Sequence, residues 1–315
     1  MAVKDLHILP KVRDSWSHLY VEHCRVDQDA KAIAIHDARG KVPVPCASLS
    51  FLMLGPGTSI THAAIRTLAD CGCLVGWTGE EGVRFYATGA GETRSSQNLL
   101  KQARLVSDPA LRLRVVRRLY EMRFPDALPE DMTLQQIRGR EGARVRDAYA
   151  QASRDSGVGW SGRSYKRESW GAADAVNRAL SSANSCLYGV CHAAIVATGF
   201  SPALGFIHTG KALSFVYDVA DLYKADLSIP LAFRAAAGGS QELESRIRKA
   251  CRDVFTEEDL LARIVPDIEK ALGIDLDNTS TLDGPDDAQP GGLWSDGASV
   301  VEGGVNYADE EDGQS

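Results

Sequence analysis

The chain has 315 residues, room for one large domain or two ordinary ones, and its 44% hydrophobic and 24% charged residues are the composition of a globular protein with a buried core. No apolar run approaches the roughly 18–20 residues that span a bilayer, and the N-terminal Met1-Ala-Val-Lys-Asp-Leu-His7 lacks the apolar core of a secretory signal, so a cytoplasmic protein is expected. The net charge of −7 argues, taken whole, against a polyanionic partner.

Along the chain, the first stretch reads as β structure. His18 to Val26 and Ala30 to His36 are short alternating or β-branched runs, separated by a polar turn at Asp27-Gln-Asp29. A second turn at Asp37–Gly40 leads to Val42–Pro45 and then to Leu49–Leu54. Thr61 to Gly72 reads as one helix, capped by Thr61 or Ser59 and closed by Gly72. Leu74–Trp77 and Val83–Ala87 complete a hairpin, and this β-rich, sandwich-like unit ends near Gly91.

From Arg94 the period turns helical. Leu111, Val115, Val116 and Leu119 recur at helix spacing, with Arg112, Arg114, Arg117 and Arg118 on the other faces. A long helix is expected from Leu134 to Ser156, closed by Gly157. Ala173 to Ala197, rich in small residues, reads as a buried central helix. A short connector to Gly210 precedes a helix from Ser214 to Ala225, and Glu242 to Leu272 supplies the last helices. The expected fold class is therefore α+β: a β-rich domain over 1–91, a larger all-α domain over 92–274, and a disordered acidic tail over 275–315.

Charge is distributed unevenly along the chain. No Lys, Arg or His follows Lys270, and the stretch beyond it holds eleven carboxylates, which leaves 35 basic against 31 acidic residues in the body. Residues 101–167 alone carry fifteen Lys or Arg against eight Asp or Glu, a local excess that suits a phosphate backbone. The seven cysteines, an odd number, form no C-x-x-C pair, so reduced, mostly buried thiols are expected in place of a zinc site.

Glu141 lies four residues after Ile137 and four before Val145, on the apolar stripe of its helix. A carboxylate there needs a partner. An ion pair with Arg138, Arg140, Arg144 or Arg146 and a bound cation account for it equally well. A second cluster runs from Gly205 to Lys224. Asp218 and Asp221, three apart on a helix, share a face, and His208 lies in the connector before it. Two carboxylates and an imidazole suit Mn²⁺ or Mg²⁺. Singly, each residue has a bland reading as a surface aspartate or a satisfied histidine; together with Glu141 they favour a metal site. Gly205-Phe-Ile-His-Thr-Gly210-Lys211 matches a phosphate-cradling G-x-x-x-x-G-K loop, but Ala212 stands where a Ser or Thr hydroxyl is required.

The chain resembles the CRISPR-associated integrase family, the catalytic subunit of spacer acquisition, and most of all its type I-E branch. The likeness runs from about Leu6 to Leu272. It is carried by Gly55-Pro-Gly-Thr-Ser-Ile-Thr-His-Ala-Ala64, Arg138-Gly-Arg-Glu141-Gly-Ala-Arg-Val-Arg146, Cys186-Leu-Tyr188-Gly-Val190, and Gly205-Phe-Ile-His208-Thr-Gly-Lys211 through Asp221. The resemblance implies that Glu141, His208 and Asp221 are catalytic and hold Mg²⁺ or Mn²⁺, with Asp218 a neighbour or alternate ligand. It implies DNA-contacting roles for Arg84, Tyr188, Lys211 and Lys224, although Tyr188 reads equally well as a core tyrosine. Arg112 and Arg114 of the basic segment would hold a DNA fragment. Ser59 departs from relatives that carry a basic residue there.

The implied reaction is a metal-dependent transesterification, in which the 3′-hydroxyl of a short DNA fragment attacks a phosphodiester of the leader–repeat DNA. The implied partners are DNA, a second copy of the chain, and a small ferredoxin-like adaptation subunit, with no membrane. Two rivals remain open on motifs alone: a non-catalytic DNA-binding scaffold and a plain metal nuclease that cuts without joining.

Overall fold

The computed structural model describes residues 18–30, 32–46, 49, 51–80, 84–89, 96–163, 175–274, 293–294 and 300–301. In chain order the N-terminal part runs β1 (His18–Val21), β2 (Arg25–Asp29), β3 (Ala32–Asp37), β4 (Gly40–Val44), β5 (Phe51–Leu54), β6 (Ser59–Ile60), α1 (His62–Asp70), β7 (Leu74–Thr78) and β8 (Phe85–Gly89). These strands form two sheets, β1-β5-β7-β8 and β4-β3-β2-β6. Val26, Ile33, Leu52, Leu54, Ala64, Leu68 and Val75 from both sheets and α1 fill one apolar core. Thr61 caps α1, its side chain accepting from the Ala64 N–H.

The expected hairpin is present, with β7 and β8 antiparallel and Trp77 opposite Ala87. The stretch from His18 to Val26 is not one strand. It breaks at His23, whose φ is +48°, and β1 and β2 enter different sheets. Asp27–Asp29 belongs to β2 and the turn falls at Ala30, φ +55°. Alternation in the sequence continues across the break, so periodicity alone could not reveal it.

The second part is helical: α2 (Gln97–Ser107), α3 (Pro109–Glu121), α4 (Leu134–Ser156), α5 (Ala175–Ala197), α6 (Ser214–Ala220), a π-helical turn (Lys224–Ser228), α7 (Ile229–Ala237), α8 (Leu243–Glu257) and α9 (Leu260–Leu272). α4 keeps its expected ends because both are chemically marked. A reciprocal capping box joins Thr133 and Gln136, and Gly157 closes the helix at φ +69°. The helix expected from Ser214 to Ala225 stops at Ala220, and α7, which the sequence reading leaves unassigned, supplies the buried Leu231, Ala232 and Phe233.

α5 is the axis of this part. It is long and apolar enough by length and composition to cross a bilayer, although its interspersed Ser and Asn residues hide that from a search for unbroken apolar runs. Here it is a core helix, with Leu180, Ala183, Leu187, Cys191 and Ile195 wholly or almost wholly buried and with α6, α7, α8 and α9 against it. Its C-terminal half also meets the first sheet: Ala193 and Ala197 join Phe51, Met53 and Leu74 in a smaller apolar cluster. Six of the seven free thiols are buried and Cys71 is half-buried. The acidic tail expected over 275–315 lies outside the described residues, save for an antiparallel pair, β9 (Leu293–Trp294) with β10 (Val300–Val301).

Candidate metal and DNA site

The connector between α5 and α6 is shaped by one buried carboxylate. Asp218 of α6 is fully buried. Its Oδ2 accepts from the backbone N–H groups of Phe206 and Ile207 at 2.6 and 3.1 Å, and its Oδ1 from that of His208 at 2.9 Å. Three successive N–H groups thus make an anion nest of the kind that elsewhere cradles phosphate, and here its occupant is the protein's own carboxylate. This agrees with rejecting a nucleotide-binding loop at Gly205–Lys211. Gly205 is required by close approach, because a Cβ there would overlap the His208 carbonyl and Ser214. The outer edge of the connector is held by Arg112, which donates from Nε and Nη2 to the Phe206 carbonyl at 3.0 and 2.8 Å.

The same Oδ1 lies 2.8 Å from His208 Nδ1. A carboxylate can only accept, so Nδ1 carries the proton, and in the neutral ring Nε2 presents its lone pair. Nε2 faces Asp221 Oδ2 at 4.0 Å. Asp221 closes α6 as its C-cap residue, and its other oxygen accepts from Lys224 Nζ at 2.6 Å. Asp218 and Asp221 therefore do address one neighbour, His208, from its two nitrogens. Both Asp218 oxygens are committed behind the imidazole, while Asp221 stands in front of it.

Glu141 reaches this place from α4. Arg144 grips both its oxygens, at 2.8 and 3.0 Å, so one of the four arginines named from the sequence does form the ion pair. A further cation was not foreseen. Arg123, just past the end of α3, places Nη1 3.2 Å from Glu141 Oε1 and 3.6 Å from Asp221 Oδ2. Its side chain is 2% exposed. The missed signal was spacing: Arg123 lies four residues after Leu119 and seven after Val116, which continues the buried stripe of α3.

A third cation and an aromatic pair complete the wall. Lys224 Nζ lies 4.9 Å from the centre of the Tyr188 ring, and Tyr188 meets Tyr217 edge to face at 5.0 Å. Burial works against the charge on Lys224, but Asp221 and Tyr188 outweigh it and hold the ammonium above the usual lysine range. Burial likewise raises the Tyr188 phenol, and Lys224 partly offsets the rise. Tyr188 is thus both a packing residue against the helical core and part of this wall. Arg84, Arg114 and Lys211 stand exposed, outside the hydrogen-bonded cluster.

The donor set suits a divalent ion: two carboxylates and an imidazole whose free nitrogen is fixed by a buried carboxylate behind it. Among the described residues no three His, Cys, Asp or Glu side chains gather closely enough to hold an ion as they stand, and the Arg123 guanidinium contacts both Glu141 and Asp221.

A family model described as CRISPR associated protein Cas1 matches residues 122–252, which include Arg123, Glu141, His208, Asp218 and Asp221. The chain is 54% identical over 314 residues to CRISPR-associated endonuclease Cas1 2 of Thermus thermophilus, covering 99% of this chain and 96% of that one. It is 42% identical over 280 residues to CRISPR-associated endonuclease Cas1 of Escherichia coli K12, covering 89% and 91%. Its fold superposes on the protein of a TtCas1–DNA complex crystal structure with a TM-score of 0.78 at 57% identity, over 84% of this chain and 99% of that one. With likeness of this extent along nearly its whole length, the chain belongs to the Cas1 family of CRISPR-associated proteins.

Proposed function

We propose that the chain is a divalent-metal-dependent DNA endonuclease and integrase of CRISPR adaptation, type I-E, with Glu141, His208 and Asp221 as the residues that hold Mg²⁺ or Mn²⁺. The observation that carries this reading is the Asp218–His208 lock, which leaves Nε2 bare and turned toward Asp221. Relatives named as endonucleases and a similar protein crystallised with DNA support the reaction class and the partner.

When bound, the ion supplies charge stabilisation at the phosphoryl group and at the entering and leaving oxygens. The chain supplies the rest. Asp218 holds His208 in one tautomer and one orientation. Lys224, fixed by Asp221 over Tyr188, and the exposed Lys211, Arg84 and Arg114 offer positive charge to neighbouring phosphates. In the joining reaction the fragment's 3′-hydroxyl forms a new P–O bond with the target phosphodiester. The bond to the departing 3′-oxygen breaks, and the proton lost by the attacking hydroxyl balances the one gained by the leaving oxygen. Two linked insertions need two such sites, which suits a homodimer bridged by a small ferredoxin-like subunit.

The test is a strand-transfer assay with labelled fragment, supercoiled target, Mn²⁺ and the partner subunit. Parent protein is expected to join the ends; Glu141→Ala, His208→Ala and Asp221→Ala are each expected to abolish joining. Retained joining in all three would remove the site assignment. The relatives' name favours one second reading, a plain nuclease. That enzyme would cut branched DNA with Mn²⁺ and never join ends.

A further inference from the structure

The most unusual group in the site is Arg123. Nη1 contacts one oxygen of Glu141 and one of Asp221, the two carboxylates assigned above to the ion. Neither carboxylate needs Arg123 to stay in place. Glu141 is gripped on both oxygens by Arg144, and Asp221 by Lys224 at 2.6 Å. What Arg123 alone does is stand between them.

Its own bonding is thin for so buried a guanidinium. Nε is buried and finds no hydrogen-bond partner among the described residues, and Nη2 has only a 3.5 Å contact with the Asp218 carbonyl. Buried arginines held for structure ordinarily use most of their five donors. The Tyr120 ring lies under its guanidinium carbon, 5.0 Å to the centroid, an alternative resting surface for the charge. The local count of charge leads the same way. Arg123, Arg144 and Lys224 already bring three positive charges against the carboxylates of Glu141 and Asp221, with the Asp226 charge also acting on Arg144. A divalent ion brings two further positive charges to oxygens these cations already contact, which favours the departure of the cation with the fewest other bonds. Arg123 contacts the Asp221 oxygen that faces His208, whereas Lys224 holds the other one, and on Glu141 it shares Oε1 with the shorter contact from Arg144.

We propose that Arg123 is an internal counter-ion of the metal-free site, which bridges Glu141 and Asp221 in the absence of metal and is displaced from them by the divalent ion. It thereby weakens metal binding and couples it to movement of one buried side chain. This rests on the metal reading given above.

The experiment is a Mn²⁺ titration of the full-length chain, following loss of the free-ion EPR signal, for the parent, Arg123→Gln and Arg123→Lys. Removal of a full charge within 4 Å of the ligands is expected to tighten Mn²⁺ binding by about tenfold in Arg123→Gln. The melting temperature without metal is expected to fall and the rise on adding Mn²⁺ to grow. A Kd equal to or weaker than the parent's overturns the proposal while leaving the metal site intact. If instead the parent shows no saturable Mn²⁺ binding, the metal reading itself fails. Should Arg123→Gln not fold, the parent protein decides. Its Arg123 guanidinium NMR resonance, assigned by its loss in Arg123→Lys, is expected to move on saturation with Mg²⁺, and no movement overturns the proposal.

Discussion

Asp218 accepts hydrogen bonds from His208 twice, from the backbone nitrogen at 2.9 Å and from Nδ1 at 2.8 Å. One buried carboxylate therefore fixes both the path of the chain at His208 and the tautomer of its ring. Asp218→Asn should separate these effects. The amide cannot accept all four bonds, so stability should fall by about 2–4 kcal/mol in urea unfolding. Mn²⁺ affinity should drop on the order of 10–100-fold, as is usual when the group orienting a ligand histidine is removed. Parental affinity in a folded Asp218→Asn protein would show that His208 is not oriented from behind.

Gly205 offers a test of the connector that leaves every polar side chain in place. A Cβ would press on the His208 carbonyl and on Ser214. Gly205→Ala should cost about 1–3 kcal/mol through overpacking. An unchanged denaturation midpoint would show that the connector can relax without loss.

The capping box at Thr133 and Gln136 starts the helix that carries Glu141 and Arg144. Thr133→Ala should cost about 1 kcal/mol. Amide exchange should quicken in the first turn of α4, and Glu141, two turns further on, should keep its Arg144 pair. Exchange spreading beyond Gly142 would contradict this local account.

His192 gives the junction of sheet and helices a pH dependence. Its ring lies 4.3 Å from that of Phe85, and burial lowers its pKa from 6.5 to about 4. The unfolded chain takes up this proton below pH 6.5 while the folded protein refuses it until about pH 4, so stability should fall as pH drops through that window and then level off. Allowing for the partial exposure of the ring, the loss should be on the order of 1–2 kcal/mol. Urea midpoints at pH 7 and pH 4.5 check this, and His192→Phe should remove that share of the slope. An identical slope in the variant would assign the acid sensitivity to other groups.

Where the sequence carried chemical punctuation, the fold could be read from it. Thr133 and Gly157 bound α4 and Thr61 begins α1. Where only periodicity was available, it misled: alternation hid the break at His23, and the helix begun at Ser214 was carried past its true end at Ala220. The site divides in the same way. Glu141, His208, Asp218 and Asp221 were visible as polar residues set among apolar ones, with the two aspartates sharing one segment. Their order in space was not visible, because Asp218 lies behind His208 through backbone N–H groups that every sequence contains. Arg123 was hidden for another reason. An arginine among many in a basic segment reads as surface, and only the tertiary meeting of α3, α4 and α6 encloses it.

The π-helical turn at Lys224–Ser228 follows directly on this enclosure. A helix running unbroken from Ser214 through Ala237 would tie the facing of Asp221 and Lys224 to that of Leu231 and Phe233 by a fixed rotation of about 100° per residue. The widened turn accommodates one residue more than a regular turn, and so frees the two phases from each other. Upstream, the chain can turn Asp221 toward His208 and lay Lys224 over Tyr188; downstream, it can turn Leu231 and Phe233 into the core. Neither the polar face nor the apolar face is compromised to suit the other. Shortening this turn by a single residue would therefore misdirect whichever half did not stay anchored, although no residue that touches the site had been replaced.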